Sequence, residues 1–328
     1  MIGVLTVLEA VREAMREEMA RDERVFVMGE DVGIRGGVFL ATDGFIDEFG
    51  EERVIDTPLA ESSIAGIGVG AAVNGMRPIA EIEFADFIWP TINQIVGEAA
   101  RVRYGTNGQV CVPLVVRAPY GGGVRGGLYH SQSVEAFFAH TPGLKVVMPA
   151  TPYDAKGLLK SAIRDDDPVV FLEHKRTYRL VRGEVPEAEY TLPIGSADVK
   201  RAGGDVTVVT YGLMVHHCLE AAQELAQEGI DVEVVDLRTV RPIDRDTILE
   251  SVRKTGKVIV VHEDTKAVGI GAEVAAIVSE DAFDHLDGPV MRLAGPEIPA
   301  MPYSPPLEAM FMIDSKKVAE AIRRLARY

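Results

Sequence analysis

Short apolar runs alternate with longer stretches in which apolar residues recur every three or four positions, along most of the chain. The short runs predict buried strands, and the longer stretches predict helices with one buried face. In the first half we predict a helix at 6–21, a strand at 25–28, strand–helix pairs at 55/61–74, 79–82/87–104, 114–117/133–139 and 145–148/152–164, and a strand at 169–172. Strands that alternate with helices are typical of a doubly wound, mostly parallel sheet in an α/β fold.

The pattern fades between residues 175 and 199, where charged residues, proline and glycine are frequent. A second α/β series follows, with strands predicted at 206–210, 232–235, 258–261 and 290–293 and helices at 217–227, 245–254, 271–281 and 315–327. We therefore predict two α/β domains, residues 1–180 and 204–328, joined by a linker at 181–203.

The stretch 56–66 brings a carboxylate, Glu61, to the start of a segment with very small side chains. Glycines at 66, 68 and 70 each cost a helix about 1 kcal/mol relative to alanine. Close approach of a backbone or a ligand usually offsets that cost. Glu61 is therefore a candidate proton-handling group. The alternative, which this stretch alone favours, is a glutamate that only complements the helix dipole.

Two further segments favour the functional hypothesis. Acidic and aromatic residues crowd the turn after the predicted strand, in the run 81–87. Residues 121–127 include five glycines and form a loop that can follow a ligand closely. The loop leads to His130, and open α/β sheets bind ligands where strands turn into helices. A lone histidine is otherwise more often structural.

Charge and composition exclude several classes of protein. The chain has 34 Lys and Arg against 50 Asp and Glu, a net charge of −16. That balance disfavours nucleic acid and favours a basic partner surface, although solubility alone explains most carboxylates. We expect Cys111 and Cys218 to stay reduced, and no Cys/His spacing suggests zinc. The chain lacks a long apolar run and a secretory pattern, so we expect a cytoplasmic protein.

The three segments 56–66, 81–104 and 117–135, in this order and spacing, resemble the beta subunit of the thiamine diphosphate-dependent 2-oxo acid dehydrogenases. The resemblance covers essentially the whole chain. Motifs specific to this group are Tyr-His-Ser-Gln-Ser (129–133), Glu-Ala-Phe-Phe-Ala-His (135–140) and Pro-Gly-Leu-Lys-Val-Val (142–147). The segments 80–88 and 93–100 are more similar to the branched-chain enzyme than to the pyruvate enzyme. The resemblance implies a transketolase-like fold, with a pyrimidine-binding domain and a C-terminal domain.

The resemblance also implies a cofactor shared between two chains. In the family, an alpha subunit binds the diphosphate and Mg²⁺, the beta chain binds the aminopyrimidine, and two of each form a heterotetramer. This chain lacks the Gly-Asp-Gly motif with which thiamine enzymes usually hold the diphosphate. It also lacks a Gly-x-Gly-x-x-Gly after a strand, which a nicotinamide site would require.

Four residues match the family's pyrimidine site. Glu61 matches the glutamate that hydrogen-bonds a pyrimidine nitrogen and favours the imino tautomer, whose exocyclic nitrogen removes the thiazolium proton. A pKa raised by burial would suit this task. Leu59 and Phe87 match residues that contact the pyrimidine, and Phe87 stands where the branched-chain relative has tyrosine. Glu83 replaces that relative's glutamine, and we expect this carboxylate either to raise the pKa of Glu61 further or to bind a cation.

His130 matches an active-site histidine that binds the substrate carboxylate or transfers a proton to the lipoyl sulfur, and the sequence leaves both roles open. The lipoyl group belongs to an acyltransferase core, whose small basic subunit-binding domain meets the beta C-terminal domain. The candidate contacts here are Glu280, Asp281, Asp284 and the carboxylate of Tyr328.

Some relatives carry a structural potassium ion held mainly by carbonyl oxygens. The matching positions are Val112, Leu114, Val115, Ala162, Asp165 and Asp167. The alternative is that the aspartates at 165–167 form a solvated helix end.

Other functions stay open on the sequence. The substrate could be pyruvate or acetoin instead of a branched-chain 2-oxo acid. A self-sufficient transketolase-like enzyme is disfavoured by the missing diphosphate motif and the short length. A non-catalytic scaffold subunit is disfavoured by the presence of both Glu61 and His130.

Overall fold

The computed structural model describes residues 2–328, which divide into two compact units. The first unit comprises the residues up to Tyr120 together with Phe137–Ile194. The second comprises Gly121–Ala136 together with Gly195–Tyr328. The glycine-rich loop therefore belongs to the second unit, although the strand before it belongs to the first. Within 2–328, none of the helices combines the length and apolarity needed to cross a bilayer.

The strands up to residue 194 are β1 (Ile2–Thr6), β2 (Val25–Gly29), β3 (Val54–Asp56), β4 (Arg77–Glu81), β5 (Val115–Tyr120), β6 (Lys145–Val147), β7 (Val169–His174) and β8 (Arg182–Pro186). The helices are α1 (Val7–Arg21), α2 (Phe45–Phe49), α3 (Glu61–Val73), α4 (Ala100–Gly105), α5 (Glu135–Ala139), α6 (Pro152–Arg164) and α7 (Thr177–Leu180).

Six of these strands lie side by side in the order β6-β7-β5-β4-β2-β3, and every neighbouring pair is parallel. This arrangement confirms the predicted doubly wound sheet. Strand β2 has β3 on one side and β4 on the other, so the winding direction changes there. Such a switch point opens a crevice at the carboxyl ends of the strands, where open α/β sheets bind ligands.

Helices α1 and α6 pack on each other and share the apolar core of the first unit. Helix α1 begins with a capping box, in which Thr6 and Glu9 satisfy each other's backbone amides. The buried side chains of Lys156 and Lys160 reach from α6 to Glu17 on α1. These ion pairs compensate charges that helix packing would otherwise leave desolvated.

The prediction of a single helix at 87–104 was wrong in detail. The chain instead forms 3₁₀ turns at Ala85–Phe87 and Trp89–Thr91, a π-helical stretch at Asn93–Ala99, and then α4. Pro90 has no amide proton, which weakens a regular helix at this point. Two strands also occur within 181–203, the segment we predicted to be a linker: β8, given above, and β9 (Asp198–Arg201).

The second unit contains strands β9 (Asp198–Arg201), β10 (Val206–Thr210), β11 (Val232–Asp236), β12 (Thr239–Arg241), β13 (Val258–Thr265) and β14 (Met291–Gly295). Its helices are α8 (Leu213–Ala226), α9 (Arg245–Thr255), α10 (Ile270–Asp281), α11 (Pro305–Phe311) and α12 (Ser315–Ala326). The sheet order is β14-β13-β10-β11-β9, parallel except for the edge strand β9. Strand β10 separates β11 from β13, so this sheet also has a switch point at its carboxyl edge.

Candidate active site

The carboxyl edge of the first sheet gathers acidic residues from successive strand ends. Glu30 directly follows β2, Glu81 ends β4, and Glu83 lies two residues beyond. The Thr57 amide donates to the Gly29 carbonyl at 2.9 Å, which fixes the chain leaving β3 beside the end of β2. Pro58, Leu59 and Ala60 follow, and α3 begins at Glu61, so the start of α3 lies at this same edge.

A buried arginine organises one side of this edge. Arg117 donates two parallel hydrogen bonds of 2.7 Å to Glu173 and a further one to Glu81. Tyr178 donates to the same Glu173 carboxylate. Burial opposes the charge of Arg117, but the attraction of Glu173 and Glu81 raises its pKa well above the usual value. Such a bidentate pair is rigid as well as strong, and it fixes the direction of Glu81.

Glu83 is a carboxyl group of the first unit whose pKa is shifted towards neutrality. Burial, assisted by the charges of Glu81 and Glu30 and a hydrogen bond with Glu81, raises its pKa to about 7. The Val38 amide donates to its Oε1 at 2.9 Å and opposes the shift. Arg117 supplies one positive charge against the two carboxylates of Glu81 and Glu173. The positive charge of Arg117 is therefore already matched, and the neighbouring carboxyl group of Glu83 gives up its proton less readily.

Glu30 lies close enough to Glu61 for the two charges to interact. Burial, then the charge of Asp31, then that of Glu61 raise the pKa of Glu30. Glu61 is half-buried as the first residue of α3, and Leu59 before it has 69% of its surface exposed. Phe87 is half-buried in the 3₁₀ turn that follows Glu83. The first unit thus offers a carboxylate, neighbouring proton-sharing carboxyl groups and apolar surface at one strand edge.

The three glycines of α3 have different surroundings. A Cβ on Gly68 would lie 3.0 Å from a Leu114 methyl group, so a close approach explains this residue. A Cβ on Gly66 would make ordinary contact with Gln94, and one on Gly70 would meet nothing within 4 Å. The expectation of close packing therefore holds within this chain for Gly68.

The loop that carries His130 lies between β5 and α5, as predicted, and belongs to the second unit. It makes a 3₁₀ turn at Gly127–Tyr129, and the exposed His130 follows directly. A side chain on Gly126 would approach the Cβ and carbonyl oxygen of His130 to 2.6 Å. A glycine is therefore required there for the turn to present the histidine outward.

A second group of buried ionisable residues lies at the carboxyl edge of the second sheet. Tyr211, just after β10, donates to Glu135 at 2.8 Å, and its ring stacks on His262 at 6.2 Å. Burial and the charge of Asp264 raise the pKa of Glu135 well above its usual value. Burial raises the pKa of Asp264 to about 6, and burial lowers that of His262 to about 4. Near neutrality the histidine of this group is uncharged.

Sequence reasoning missed most of this second group, together with Arg117, Glu173 and Tyr178. One signal was available: Arg117 and Glu173 are charged residues inside apolar strand patterns, and buried charges are rare unless paired. Glu135 was noted only as part of a motif. The partners Tyr211, His262 and Asp264 lie far from the loop in sequence, so nothing local links them to it.

The predicted potassium positions lie together at the end of α6 and the start of β5. Lys145 donates to both carboxylate oxygens of Asp165, at 2.7 and 2.6 Å. Arg103 donates to Asp167 at 2.7 Å, and the Leu114 carbonyl accepts from the Val169 amide at 2.9 Å. Protein cations thus neutralise these two carboxylates, and a potassium ion here stays a prediction. Within residues 2–328, no three His, Cys, Asp or Glu side chains converge as metal ligands would.

Comparison with known proteins shows which family this chain belongs to. A transketolase pyrimidine-binding domain model matches residues 4–181, and a transketolase C-terminal domain model matches residues 195–318. A solved split-gene transketolase, described as an inactive beta4 tetramer, has a TM-score of 0.80 at 24% identity and covers 99% of both chains. The fold and the carboxylate-lined edge therefore define a transketolase-like protein of the thiamine-dependent class.

Sequence identity to individual relatives identifies the family within the transketolase-like class. The 2-oxoisovalerate dehydrogenase subunit beta of Bacillus subtilis is 62% identical over 327 residues, which cover 100% of both chains. The pyruvate dehydrogenase E1 component subunit beta of the same organism is 50% identical over 324 residues, 99% of both chains. Its counterpart from Staphylococcus epidermidis is 50% identical over 290 residues, 88% of this chain and 89% of the relative. This chain belongs to the beta subunits of the 2-oxo acid dehydrogenases.

Proposed function

We propose that this chain, with an alpha subunit, catalyses the oxidative decarboxylation of a branched-chain 2-oxo acid. The acid loses carbon dioxide, and its acyl group passes to a lipoyl disulfide, which is reduced to the acylated dihydrolipoyl form. The observation that carries the proposal is Glu61, which opens α3 beside Glu30 at the switch-point edge. It does so in a chain 62% identical, end to end, to a 2-oxoisovalerate dehydrogenase beta subunit.

The residues at this edge fit one end of thiamine diphosphate. An aminopyrimidine is a flat ring with hydrogen-bonding nitrogens, and it needs apolar contact on its faces and a polar partner at its rim. Leu59 and Phe87 supply apolar surface, and Glu61 supplies the carboxyl group. The sequence has no Gly-Asp-Gly cradle for a diphosphate. We therefore assign the diphosphate and Mg²⁺ to the alpha subunit.

The bound cofactor would supply the nucleophilic carbon and the electron sink for decarboxylation. The role of this chain is to move a proton at the pyrimidine. Glu61 would share a proton with a ring nitrogen, and Glu30 and Glu83 would keep the surroundings rich in carboxyl protons. A general acid–base group of this kind is typically worth about 10²–10⁴ in rate.

We assign His130 to the handling of the substrate or of the lipoyl group. Its loop presents the exposed imidazole at the end of a glycine-rich turn. An imidazole donates hydrogen bonds and transfers protons, which suits either binding of the substrate carboxylate or protonation of a lipoyl sulfur. These two roles are distinguished by comparing the rate of decarboxylation, measured with an artificial electron acceptor, with the rate of acylation of a lipoyl acceptor.

We further propose an assembly of two alpha and two beta chains that is captured by a lipoyl acyltransferase core. The acidic contact would lie at the end of α10, where Glu280 and Asp284 flank the exposed ring of Phe283. Asp281, also predicted to take part, already accepts from Arg245 and is a weaker candidate. An exposed apolar side chain with exposed carboxylates nearby in the sequence suits a small basic domain.

A substrate panel on the assembled alpha–beta complex tests the proposal. We expect thiamine-dependent decarboxylation of the 2-oxo acids derived from valine, leucine and isoleucine, with a higher kcat/KM than for pyruvate. Pyruvate or an acetoin-type substrate is the second candidate, because a pyruvate dehydrogenase relative is 50% identical. Failure of every substrate in a complex that binds thiamine diphosphate would favour a scaffold role.

A further inference from the structure

The glycine-rich loop is fastened to the rest of the second unit by buried carboxylates that lie outside the motifs quoted above. The Gly122 amide donates to Oε1 of Glu263 at 2.6 Å, near the end of β13. The Arg125 amide donates to Oε1 of Glu308 at 2.9 Å, on α11. Glu263 and Glu308 are only 6% and 7% exposed, so water competes little for these two bonds. Charge-assisted hydrogen bonds of this kind are roughly twice as strong as neutral ones.

Apolar packing also supports the contact between the glycine-rich loop and the rest of the second unit. A Cβ on Gly122 would lie 2.3 Å from Cε of Met301 and 3.1 Å from Sδ of Met312. A Cβ on Gly127 would lie 3.3 Å from the ring of Tyr303. The segment around α11 therefore fits closely against the loop backbone, and only glycine leaves the required space.

Backbone conformation shows why the loop needs such fastening. Arg125 has φ of +60°, a left-handed conformation that costs a non-glycine residue free energy. Its side chain is exposed, so packing of that side chain does not compensate the cost. The hydrogen bond from its amide to Glu308 stabilises this conformation instead.

We propose that Glu263 and Glu308 are positioning residues that hold the loop in the shape that presents His130 to the lipoyl group. This inference rests on the function proposed above. Neither carboxylate touches the reacting atoms, and each acts through a loop amide. Loss of either one should leave thiamine binding intact and slow acyl transfer.

The test compares four variants, Glu263→Ala, Glu263→Gln, Glu308→Ala and Glu308→Gln, in the assembled complex. Glutamine keeps an acceptor oxygen, so the glutamine variants should recover most of the wild-type behaviour. The matched control is Glu233→Ala, because Glu233 is also buried and also accepts a backbone amide, from Gly203, elsewhere in the second unit. Hydrogen–deuterium exchange of residues 121–130 reports loop release directly.

We expect each alanine variant to speed exchange of the loop by about ten- to hundred-fold, the loss of one charge-assisted hydrogen bond. We expect kcat for lipoyl acylation to fall about ten-fold or more, with little change in the dissociation constant of thiamine diphosphate. Glu233→Ala should change neither the exchange rate of the loop nor kcat for lipoyl acylation. Unchanged exchange, or faster exchange with unchanged kcat, would overturn the positioning role. If wild-type complex decarboxylates no 2-oxo acid, the proposed function fails, while the exchange arm still shows whether the loop is fastened.

Discussion

At the scale of single residues, the main feature of the site is the protonation of its buried carboxyl groups. Glu83 lies beside Glu81, one of the two carboxylates that neutralise Arg117, and burial raises the pKa of Glu83 to about 7. The sequence predicted a second carboxylate near Glu61 but not this charge balance. Arg117 and Glu173 lie far from Glu83 in sequence, and their meeting depends on the register of β4, β5 and β7.

The raised pKa of Glu83 makes stability depend on pH. Between the usual value of 4.5 and about 7, the folded protein binds more protons at this site than the unfolded chain does. The contribution of Glu83 to stability is therefore full at low pH and declines as pH rises through this window. We expect Glu83→Gln, which keeps the acceptor for the Val38 amide, to gain thermal stability relative to wild type from pH 5 to pH 7. Parallel melting curves with an exposed Glu52→Gln control check this, and a constant difference across pH would contradict it.

His130 should matter for acyl transfer more than for cofactor binding. His130 is exposed at the end of a turn, so we expect the assembly of the His130→Ala complex to stay intact. We expect kcat for lipoyl acylation to fall by about 10²-fold or more, with nearly unchanged thiamine diphosphate affinity. The exposed His285→Ala variant is the control. A His130→Ala complex that melts early and shows no separate kinetic defect would assign the residue a structural role.

At the scale of elements, periodic patterns predicted well wherever one face is buried. The strands at 25–28 and 206–210 and the helices at 152–164 and 245–254 agree with β2, β10, α6 and α9 to within a residue or so. Short elements such as β1, β12 and α11 were missed, because they span too few residues to show a period. The segment 87–104 was predicted as one helix, since periodicity does not distinguish π-helical from α-helical turns.

Helix α3 allows a matched comparison of two glycines. Gly70→Ala places its methyl group in open space, so we expect the free chain to gain about 0.5–1 kcal/mol from helix propensity. Gly68→Ala must displace Leu114, whose methyl group would lie 3.0 Å away, so its gain should be smaller or reversed. Urea unfolding of the two variants measures the difference. Equal stabilisation by both would show that Leu114 moves aside without cost.

At the scale of the whole molecule, the chain supplies two strand edges with different chemistry. The first unit offers carboxyl groups and apolar surface, which we propose bind a pyrimidine, and the second offers the loop with His130. Motifs identified the family because Tyr-His-Ser-Gln-Ser and its neighbours are specific. They do not reveal the fastening of the loop, since Glu263 and Glu308 lie far along the chain.

Capture by an acyltransferase core should depend on charge at the end of α10. We expect Glu280→Gln with Asp284→Asn to weaken capture about ten-fold at low salt and to reduce its salt dependence. The control pair is Glu51→Gln with Glu52→Gln, two exposed carboxylates in the first unit. Surface plasmon resonance at several ionic strengths measures both. If the affinity for the core is the same with and without the two α10 substitutions, the contact lies elsewhere on the chain.

The central claim is that Glu61 activates a cofactor whose other end the alpha subunit holds. The most direct measurement is the rate at which the C2 proton of bound thiamine diphosphate exchanges with deuterium, followed by quenched-flow NMR on the assembled complex. We predict exchange about 10²–10⁴ times slower in Glu61→Gln than in wild type, with cofactor still bound and the assembly intact. A Glu61→Gln complex that exchanges this proton at the wild-type rate would contradict the account.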